Sequence, residues 1–262
     1  MVNLTQVSPR TVLGLAGWRS RAAERVDTEA VRRPDGRPSG AAWLAELTGI
    51  RAGLRLPAAA PRLARLPRGD GHVVIDIPGW KAPEITGAPL RGLLGALGYD
   101  ARSWGLGVNT GSPERDARLL AKAVTRAAAE HGPVSLVGWS LGGVIAREVA
   151  RAHPDAVRRV ITYGSPIIGG PTHTVGARSF GSEASERITA KAERLDREHP
   201  IAVPLTVIFT RRDGIVAWEA CIDHYSPDVE HVEVFSTHLG MGVDPDVWEL
   251  VARRLATPVA TA

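Results

Sequence analysis

Six short runs rich in β-branched and apolar residues recur along the last three quarters of the chain, with helix-like patterns between them. Runs of this length, bounded by turn residues, predict buried β-strands. They are HVVIDI (72–77), YDARSW (99–104), VSLVG (134–138), VRRVITY (157–163), VPLTVIF (203–209) and HVEVF (231–235). Strands that alternate with helices predict an α/β protein with a mostly parallel sheet of about six strands and helices on both faces.

Two helix patterns begin with clear start signals. PERDARLLAKAVTRAAAEHG follows Ser112, a residue type suited to the N-cap, and begins with Pro113. PDVWELVARRLA follows Asp244 and begins with Pro245 in the same way. Both patterns predict helices whose first residue is the proline.

The first 70 residues differ from the remainder of the chain. Pro/Gly/Arg-rich joints interrupt them at 32–40 and 56–71, and they hold 12 arginines against six acidic residues, where the whole chain has a net charge of +4. We therefore divide the chain into a basic, partly helical leader (1–70) and an α/β domain (71–262). No nucleic-acid-binding motif or aromatic interleaving accompanies the arginines, so we expect no nucleic-acid partner.

One part of the leader has an amphipathic pattern. The apolar positions, which recur at helical spacing beside two arginines, are Trp43, Leu44, Leu47, Ile50 and Leu54. A stripe of this kind packs on the core of its own protein, covers a site as a lid, or lies on a lipid surface. Peripheral contact with lipid through the leader is therefore one open alternative.

Composition and cysteine content limit the setting. The chain has 262 residues and is 44% hydrophobic, which is enough to fill one large α/β core. Its one cysteine, Cys221, excludes an intramolecular disulfide, and no Cys/His cluster has the spacing of a zinc site. The apolar stretch at 12–18 is too short to span a membrane and too weak for a signal peptide. We expect a cytoplasmic protein with no metal or other cofactor; the sequence gives no indication of the oligomeric state.

Residues suited to nucleophilic catalysis follow three of the predicted strands. Ser140 follows the third strand, Asp213 the fifth and His238 the sixth. Because the carboxyl ends of parallel strands meet at one edge of the sheet, we expect these side chains to lie close together. A serine hydroxyl becomes an effective nucleophile when a histidine, itself held by a carboxylate, takes its proton.

The segment around Ser140 reads LVGWSLGG (136–143), with glycines two positions before and after the serine. A strand pattern enters it and a helix pattern leaves it, so the sequence predicts a sharp strand-to-helix turn that exposes the hydroxyl. The same turn directs the backbone N–H of Leu141 towards the start of a helix, where partial positive charge favours an oxyanion.

Other residues compete for two of these roles. Asp223 and Asp228 lie in the loop after Asp213 and are alternative partners for His238. Among the eight histidines, His238 alone directly follows the last predicted strand. We interpret Cys221 as a buried core residue rather than a nucleophile, because no base motif accompanies it.

In this order the motifs resemble the α/β-hydrolase family, and in particular its small bacterial lipases and esterases. The resemblance spans about residues 72–257 and rests on six segments: VVIDIPGW, GYDARSWGLG, GWSLGG, VRRVITYGSPIIGG, FTRRDGIVAW and STHLGMGVDPDVW. It implies an α/β-hydrolase fold and a serine hydrolase that cleaves carboxylic esters through an acyl-enzyme. It also implies that Ser140 is the nucleophile, Asp213 the acid and His238 the base of a catalytic triad.

The resemblance further implies that the backbone N–H groups of Trp80 and Leu141 form the oxyanion hole. Two features depart from the family pattern. Pro78-Gly79-Trp80 stands where lipases and esterases often carry His-Gly before the oxyanion donor. The strand pair that commonly opens the fold has no counterpart in the leader.

The substrate is less well defined by the sequence. The residues beside the triad motifs that would line an apolar acyl pocket, or belong to the ordinary core, are Trp139, Ile167, Ile168 and Met241. Residues 167–202 are long enough for a short helical cap, and a small cap favours an open site for a small acyl ester or lipid-like substrate. Acyl transfer or thioesterase action by the same triad, and ligand binding without catalysis, are the alternatives.

Overall fold

The computed structural model describes residues 40–168, 170–175 and 182–259, together with residues 24–26, 28, 31, 34, 36 and 38. The remaining parts of the predicted leader and of the predicted cap segment lie outside the described residues. Where it is described, the chain forms one seven-stranded sheet with helices against both faces.

The strands of this sheet run in the order β1-β7-β6-β5-β4-β2-β3. They are β1 (Glu24–Arg25), β2 (Val73–Ile77), β3 (Asp100–Ser103), β4 (Val134–Trp139), β5 (Val157–Tyr163), β6 (Leu205–Phe209) and β7 (Val229–Glu233). Strands β2 to β7 pair in parallel, which confirms the predicted parallel sheet of about six strands.

Two details of the sheet differ from the sequence prediction. Strand β7 begins at Val229, two residues before the predicted start, because the pairing with β6 extends back to that position. Strand β1 was not predicted, since two charged residues carry no β-branched pattern. It pairs antiparallel with the outer edge of β7, with Glu24 opposite Glu233 and Arg25 opposite Val232.

Helices connect the strands and flank the sheet. They are α1 (Gly40–Ala45), α2 (Leu56–Leu63), α3 (Ala88–Ala96), α4 (Pro113–His131), α5 (Leu141–Ala152), α6 (Ser182–Glu198), α7 (His238–Met241) and α8 (Pro245–Leu255). Helices α4 and α8 begin at the predicted prolines, with Ser112 and Asp244 as N-caps. The Asp244 carboxylate accepts a hydrogen bond from the Asp246 N–H at 2.9 Å, as expected for an N-cap.

Side chains alternate between two hydrophobic clusters, one on each face of the sheet. In β2, Val73 and Ile75 belong to the cluster that contains the apolar faces of α4 and α5, whereas Val74 belongs to the opposite cluster, with α3 and α8. Every residue of β2 is buried. This two-sided burial is the reason the parallel strands are nearly continuous apolar runs rather than alternating ones.

Helix α2 of the leader packs on the second of these clusters, whereas Val26 and Val31 of the leader pack on the first. Ala59 and Leu63 of α2 are buried in the second cluster, beside α8. A 3₁₀ segment, Glu46–Arg55, joins α1 to α2, and Arg55 pairs with Asp244 at 3.2 Å. The division at residue 70 and the cap within 167–202 stay predictions. Within the described ranges, no helix is long and apolar enough to cross a membrane.

Candidate active site

Ser140 lies at the turn between β4 and α5, at the carboxyl edge of the sheet. Its backbone has φ 53° and ψ −121°, a conformation that side-chain-bearing residues rarely adopt. Two hydrogen bonds hold the turn: the Ser140 N–H donates to the Tyr163 carbonyl at 2.8 Å, and the Gly143 N–H donates to the Ser140 carbonyl at 3.0 Å. The half-buried serine is therefore presented above the end of the sheet.

The glycines around Ser140 are required by close backbone approaches. A Cβ on Gly138 would lie 2.5 Å from the Gly143 Cα, and a Cβ on Gly142 would lie 2.2 Å from the Ile77 carbonyl oxygen. Both distances are far below van der Waals contact, and neither neighbour is a flexible side chain. The placing of glycines two positions before and after Ser140 thus has a steric cause, because α5 starts directly against β4 and the end of β2.

His238 and Asp213 are hydrogen-bonded to each other in a buried setting. The His238 Nδ1 lies 2.7 Å from the Asp213 Oδ2, and the two residues are 3% and 5% exposed. The second oxygen of Asp213 accepts from the N–H groups of Ile215 at 2.8 Å and Val216 at 2.7 Å. With one oxygen fixed by the backbone, the other is aimed at the imidazole, which places the His238 proton on Nδ1 and leaves Nε2 as an acceptor.

The charge state of His238 follows from the same contacts. Burial alone would lower the pKa of His238, but the charge of Asp213, the hydrogen bond that the ring donates to Asp213 and the charge of Glu46 together raise that pKa above its ordinary value of 6.5. A raised pKa makes the imidazole a stronger proton acceptor. It also means that the ring is protonated over a wider range of acidic pH.

His238 lies beside the turn that carries Ser140. The Trp139 Nε1–H donates to the His238 carbonyl at 3.3 Å, and the two rings are 5.8 Å apart. A Cβ on Gly164 would lie 3.0 Å from the His238 Nδ1, and Gly164 directly follows the residue that binds the Ser140 N–H. Among the described residues no hydrogen bond joins the Ser140 Oγ to the imidazole, and such contacts often tighten only when substrate binds.

Both residues predicted to supply oxyanion donors lie near Ser140: Leu141 follows it in the chain, and Trp80 belongs to a loop that approaches it. Leu141 is the first residue of α5, so its N–H has no acceptor within the helix. The loop with Pro78, Gly79 and Trp80 follows β2, and a Cβ on Gly79 would lie 3.3 Å from the Ser140 Cβ. The loop that carries Trp80 is therefore in contact with the serine, as the order of the motifs predicts.

Asn109 braces this loop, and sequence reasoning missed it. Its side chain is fully buried, and its Nδ2 donates to the Pro78 carbonyl at 2.8 Å. Its backbone carbonyl accepts from the Lys81 N–H at 2.8 Å. The side-chain amide and the main chain of one buried residue thus bond to the loop on the two sides of Trp80 and fix its course. No local pattern marks Asn109, because its partners are about 30 residues away.

The competing acids and bases are engaged elsewhere. Asp223 accepts a hydrogen bond from Arg147 at 2.6 Å, and Asp228 is exposed. The His231 Nε2 accepts from the Asp223 N–H at 3.0 Å, and burial lowers the pKa of His231 to about 4. Cys221 is buried, and burial raises its thiol pKa well above the ordinary value, which suits a core residue rather than a nucleophile.

Three of the four predicted pocket residues are buried. Ile167, Ile168 and Met241 are at most 4% exposed, and Trp139 is half-buried. Trp139 contacts the candidate base directly, and Met241 and His238 both approach Gly164. A separate cavity of about 360 Å³ lies next to the histidine loop and contains none of Ser140, Asp213 and His238. The acyl pocket stays a prediction.

Glu46 of the leader is the second residue that sequence reasoning missed. It is 2% exposed, and it accepts hydrogen bonds from the backbone N–H groups of Gly214, His238 and Leu239. The one available signal is a lone acidic residue in the otherwise uncharged stretch GAAWLAELTGI. In the part of the chain that the structure describes, no group of three or more His, Cys, Asp or Glu side chains is arranged to hold a metal ion.

Comparison with known proteins identifies the fold. No protein-family model and no curated protein sequence matches the chain. Many solved structures do. One, from the metagenome-derived lipolytic enzymes LipS and LipT, has a TM-score of 0.57 at 16% identity and covers 72% of this chain and 93% of that one.

Two further structures extend the comparison to eukaryotes. Lipase B of Aspergillus fumigatus has a TM-score of 0.56 at 19% identity, over 71% of this chain and 52% of that one. Alpha/beta hydrolase domain-containing protein 10 from mouse has a TM-score of 0.51 at 20% identity, over 71% and 88%. At such low sequence identity, structural similarity shows that the chains share an architecture and does not show that they share a function. The chain has the α/β-hydrolase fold.

Proposed function

We propose that the protein is a serine hydrolase that cleaves carboxylic esters, with Ser140 as nucleophile, His238 as general base and Asp213 as the acid that orients His238. One observation carries the proposal: a serine in a sterically forced strand-to-helix turn lies beside a buried histidine whose Nδ1 is 2.7 Å from a carboxylate. This combination activates a hydroxyl for attack on a carbonyl carbon.

In the proposed reaction, the Ser140 Oγ attacks the ester carbonyl while the His238 Nε2 takes its proton. The resulting oxyanion accepts hydrogen bonds from the backbone N–H groups of Leu141 and Trp80, and each such donor contributes about 3 kcal/mol to transition-state stabilisation. The imidazolium then protonates the leaving alcohol, which leaves an acyl-enzyme on Ser140. A water molecule, deprotonated by His238, attacks the acyl group and releases the acid.

The ester specificity of this proposal is supported by the kinds of protein that share the fold. Two of the similar structures come from enzymes named as lipolytic or as a lipase. The fold also hosts other chemistries, so the similarity supports hydrolysis more strongly than it supports a given ester. We propose a small acyl ester or lipid-like substrate, with an acyl pocket that includes Trp139, Ile167, Ile168 and Met241.

Covalent labelling tests the nucleophile directly. A fluorophosphonate probe is expected to label the wild-type protein on Ser140, and Ser140→Ala is expected to abolish both labelling and hydrolysis of nitrophenyl esters, with a loss in kcat on the order of 10⁶-fold. Ser112→Ala is the matched control, because Ser112 caps α4 without a side-chain hydrogen bond.

Three outcomes would contradict the proposal in different ways. Absence of labelling, or an adduct that survives Ser140→Ala, removes the nucleophile assignment. Labelling without hydrolysis of nitrophenyl esters of any chain length removes the ester substrate. A product formed with added alcohols or thioesters in preference to water would make the protein an acyltransferase or thioesterase that uses the same side chains.

A further inference from the structure

The Glu46 carboxylate is buried between the leader and the two loops that carry the candidate acid and base. Its Oε1 accepts from the Gly214 N–H at 2.7 Å and from the His238 N–H at 2.9 Å, and its Oε2 accepts from the Leu239 N–H at 2.8 Å. The donors are 168, 192 and 193 residues away along the chain. One side chain of the leader therefore binds two loops that are distant from it in sequence.

The position of these donors relates Glu46 to both loops of the site. Gly214 directly follows Asp213, and His238 is the candidate base itself. Because a single oxygen, Oε1, accepts from both loops, a change in the distance between them would break one of its two hydrogen bonds. Charge-assisted hydrogen bonds to a carboxylate are stronger than neutral ones, so Glu46 fixes the acid loop relative to the base loop.

Glu46 also completes the start of α7. His238 and Leu239 are the first two residues of that helix, and their N–H groups have no acceptor within it. Glu46 takes both, and the Thr237 Oγ1 takes the next free N–H, that of Gly240, at 3.2 Å. All three donors at the helix start are thus satisfied, which stabilises the main chain that carries His238.

The leader approaches the acid and base loops closely on both sides of Glu46. A Cβ on Gly49 would lie 2.4 Å from the Thr237 Oγ1, and a Cβ on Gly214 would lie 2.3 Å from the Ala42 carbonyl oxygen. Glycine is therefore required at position 49 of the leader and at position 214 of the acid loop. The leader and the two loops fit each other in shape as well as in hydrogen bonding.

We propose that Glu46 is a positioning residue for the candidate triad, and that the leader segment around it is part of the catalytic unit rather than an appendage. The inference rests on the proposed function, since it assigns Glu46 a role in the same site. Glu46 touches neither the Ser140 Oγ nor the His238 ring by any hydrogen bond that the structure records; it acts through the backbone of the loops.

The charge of Glu46 gives this role a separate readout. Asp213, through its contact with the ring, and Glu46, from the leader, are the charged groups that raise the pKa of His238 against the effect of burial. A neutral side chain of the same shape at position 46 removes one of these charges. We therefore expect the pKa of His238 to be lower in Glu46→Gln than in the wild type, and the acidic limb of the kcat/KM profile to move to lower pH.

Two substitutions separate positioning from folding. Glu46→Gln keeps the shape and one acceptor, and its kcat is expected to fall about tenfold, as for the loss of one good hydrogen bond. Glu46→Ala leaves the three N–H groups without acceptors, and a displacement of the base by about 1 Å costs on the order of 100-fold in kcat. KM is expected to change less than about twofold in both, because binding contacts are retained.

The matched control is Glu249→Gln. Glu249 on α8 pairs with Arg62 of α2, so it helps to attach the leader but does not contact the acid or base loop. Its kcat and pH profile are expected to match the wild type. If Glu249→Gln loses as much activity as Glu46→Gln, the effect arises from loosening of the leader, and the positioning role is overturned.

The imidazole pKa of His238, measured by NMR in the full-length protein, decides the question independently of turnover. A lower pKa in Glu46→Gln, with reduced kcat and unchanged KM, supports the proposal. An unchanged pKa and unchanged kcat overturn it, even if Glu46→Ala fails to fold. Failure of the proposed function is recognised separately, because the wild-type protein would then show no fluorophosphonate adduct on Ser140.

Discussion

At the scale of single residues, the site is determined by what each polar atom can bond to once it is buried. Asp213 has both oxygens occupied, one by two backbone N–H groups and one by His238. Asp223, which lies in the loop after Asp213, is instead bound to Arg147. In the sequence, the position of Asp213 directly after a predicted strand favours it; in the structure, the hydrogen-bond partners of the two carboxylates separate them.

The raised pKa of His238 predicts the direction of the pH dependence. The imidazole must be neutral to accept the Ser140 proton, so kcat/KM falls as the pH drops below the pKa of His238. Because that pKa is raised above 6.5, the midpoint of the acidic limb is expected above 6.5 in the wild type. Removal of the Asp213 charge lowers the pKa, so the limb in Asp213→Asn is expected at lower pH.

The same variant tests the assignment of the acid. Asp213→Asn is expected to reduce kcat about 10⁴-fold, because asparagine does not hold the imidazole in the required tautomer. The matched control is Asp228→Asn, at an exposed position in the neighbouring loop. Steady-state kinetics across pH would reject Asp213 as the acid if Asp228→Asn showed the larger loss.

At the scale of elements, helix α5 connects the serine turn to α6 and to the loop that contains Asp223. Arg147 on α5 is 3% exposed, and it donates to Asp223 at 2.6 Å and to Asp196 of α6 at 2.7 Å. Burial alone would raise the pKa of Asp223, but the Arg147 charge and hydrogen bonds from Ser226 and Tyr225 hold it well below its ordinary value. Asp223 therefore stays ionised at neutral pH.

Removal of Arg147 is expected to destabilise the protein strongly. Arg147→Ala leaves the buried Asp223 carboxylate without its ion-pair partner, whereas Asp196 keeps Arg151. The free energy of unfolding at pH 7 is expected to fall by about 3–5 kcal/mol in urea denaturation. The comparison variant is Arg211→Ala, whose ion pair with Glu233 is largely exposed and contributes about 0–1 kcal/mol. Equal losses in the two variants would show that the buried network does not anchor α5.

The pH dependence of this contribution has a definite sign. The pKa of Asp223 is lower in the folded protein than in the unfolded chain, so the unfolded state binds its proton first as the pH falls. The stabilisation by Arg147 and Asp223 is therefore complete above the ordinary aspartate pKa of 3.8, and it is lost as the pH falls from there towards the lowered folded value.

At the scale of the whole molecule, the features that could be predicted from the sequence are those that a local sequence pattern indicates. All six parallel strands were predicted, and five of them follow from β-branched runs; β3 contains no β-branched residue. The approach of Ser140, Asp213 and His238 to one edge follows from their places after strands. Glu46 and β1 were not predictable in this way. Their partners lie about 170–210 residues away. The sequence of a short charged or helical segment does not indicate the surface on which it packs.

The leader also presents an apolar surface, which bears on the alternatives left open by its sequence. The side chains of Trp43, Leu44, Leu47 and Leu54 are 48%, 58%, 70% and 78% exposed, so they do not pack on the core of the protein. Arg51 between them is exposed as well. Exposed apolar and cationic side chains on one segment favour contact with an anionic lipid surface.

We therefore expect the protein to bind vesicles that contain anionic lipid. The double variant Leu47→Glu/Leu54→Glu is expected to bind on the order of 100-fold more weakly, because each leucine contributes about 1.5 kcal/mol or more when it is buried. Deletion of the leader is unsuitable as a test, because it also removes Glu46 from the acid and base loops. The control is Ile188→Glu on α6, an exposed apolar position outside the leader. Sedimentation with vesicles would contradict the lipid contact if wild-type protein stayed in solution, or if Ile188→Glu weakened binding as much as the leader substitutions.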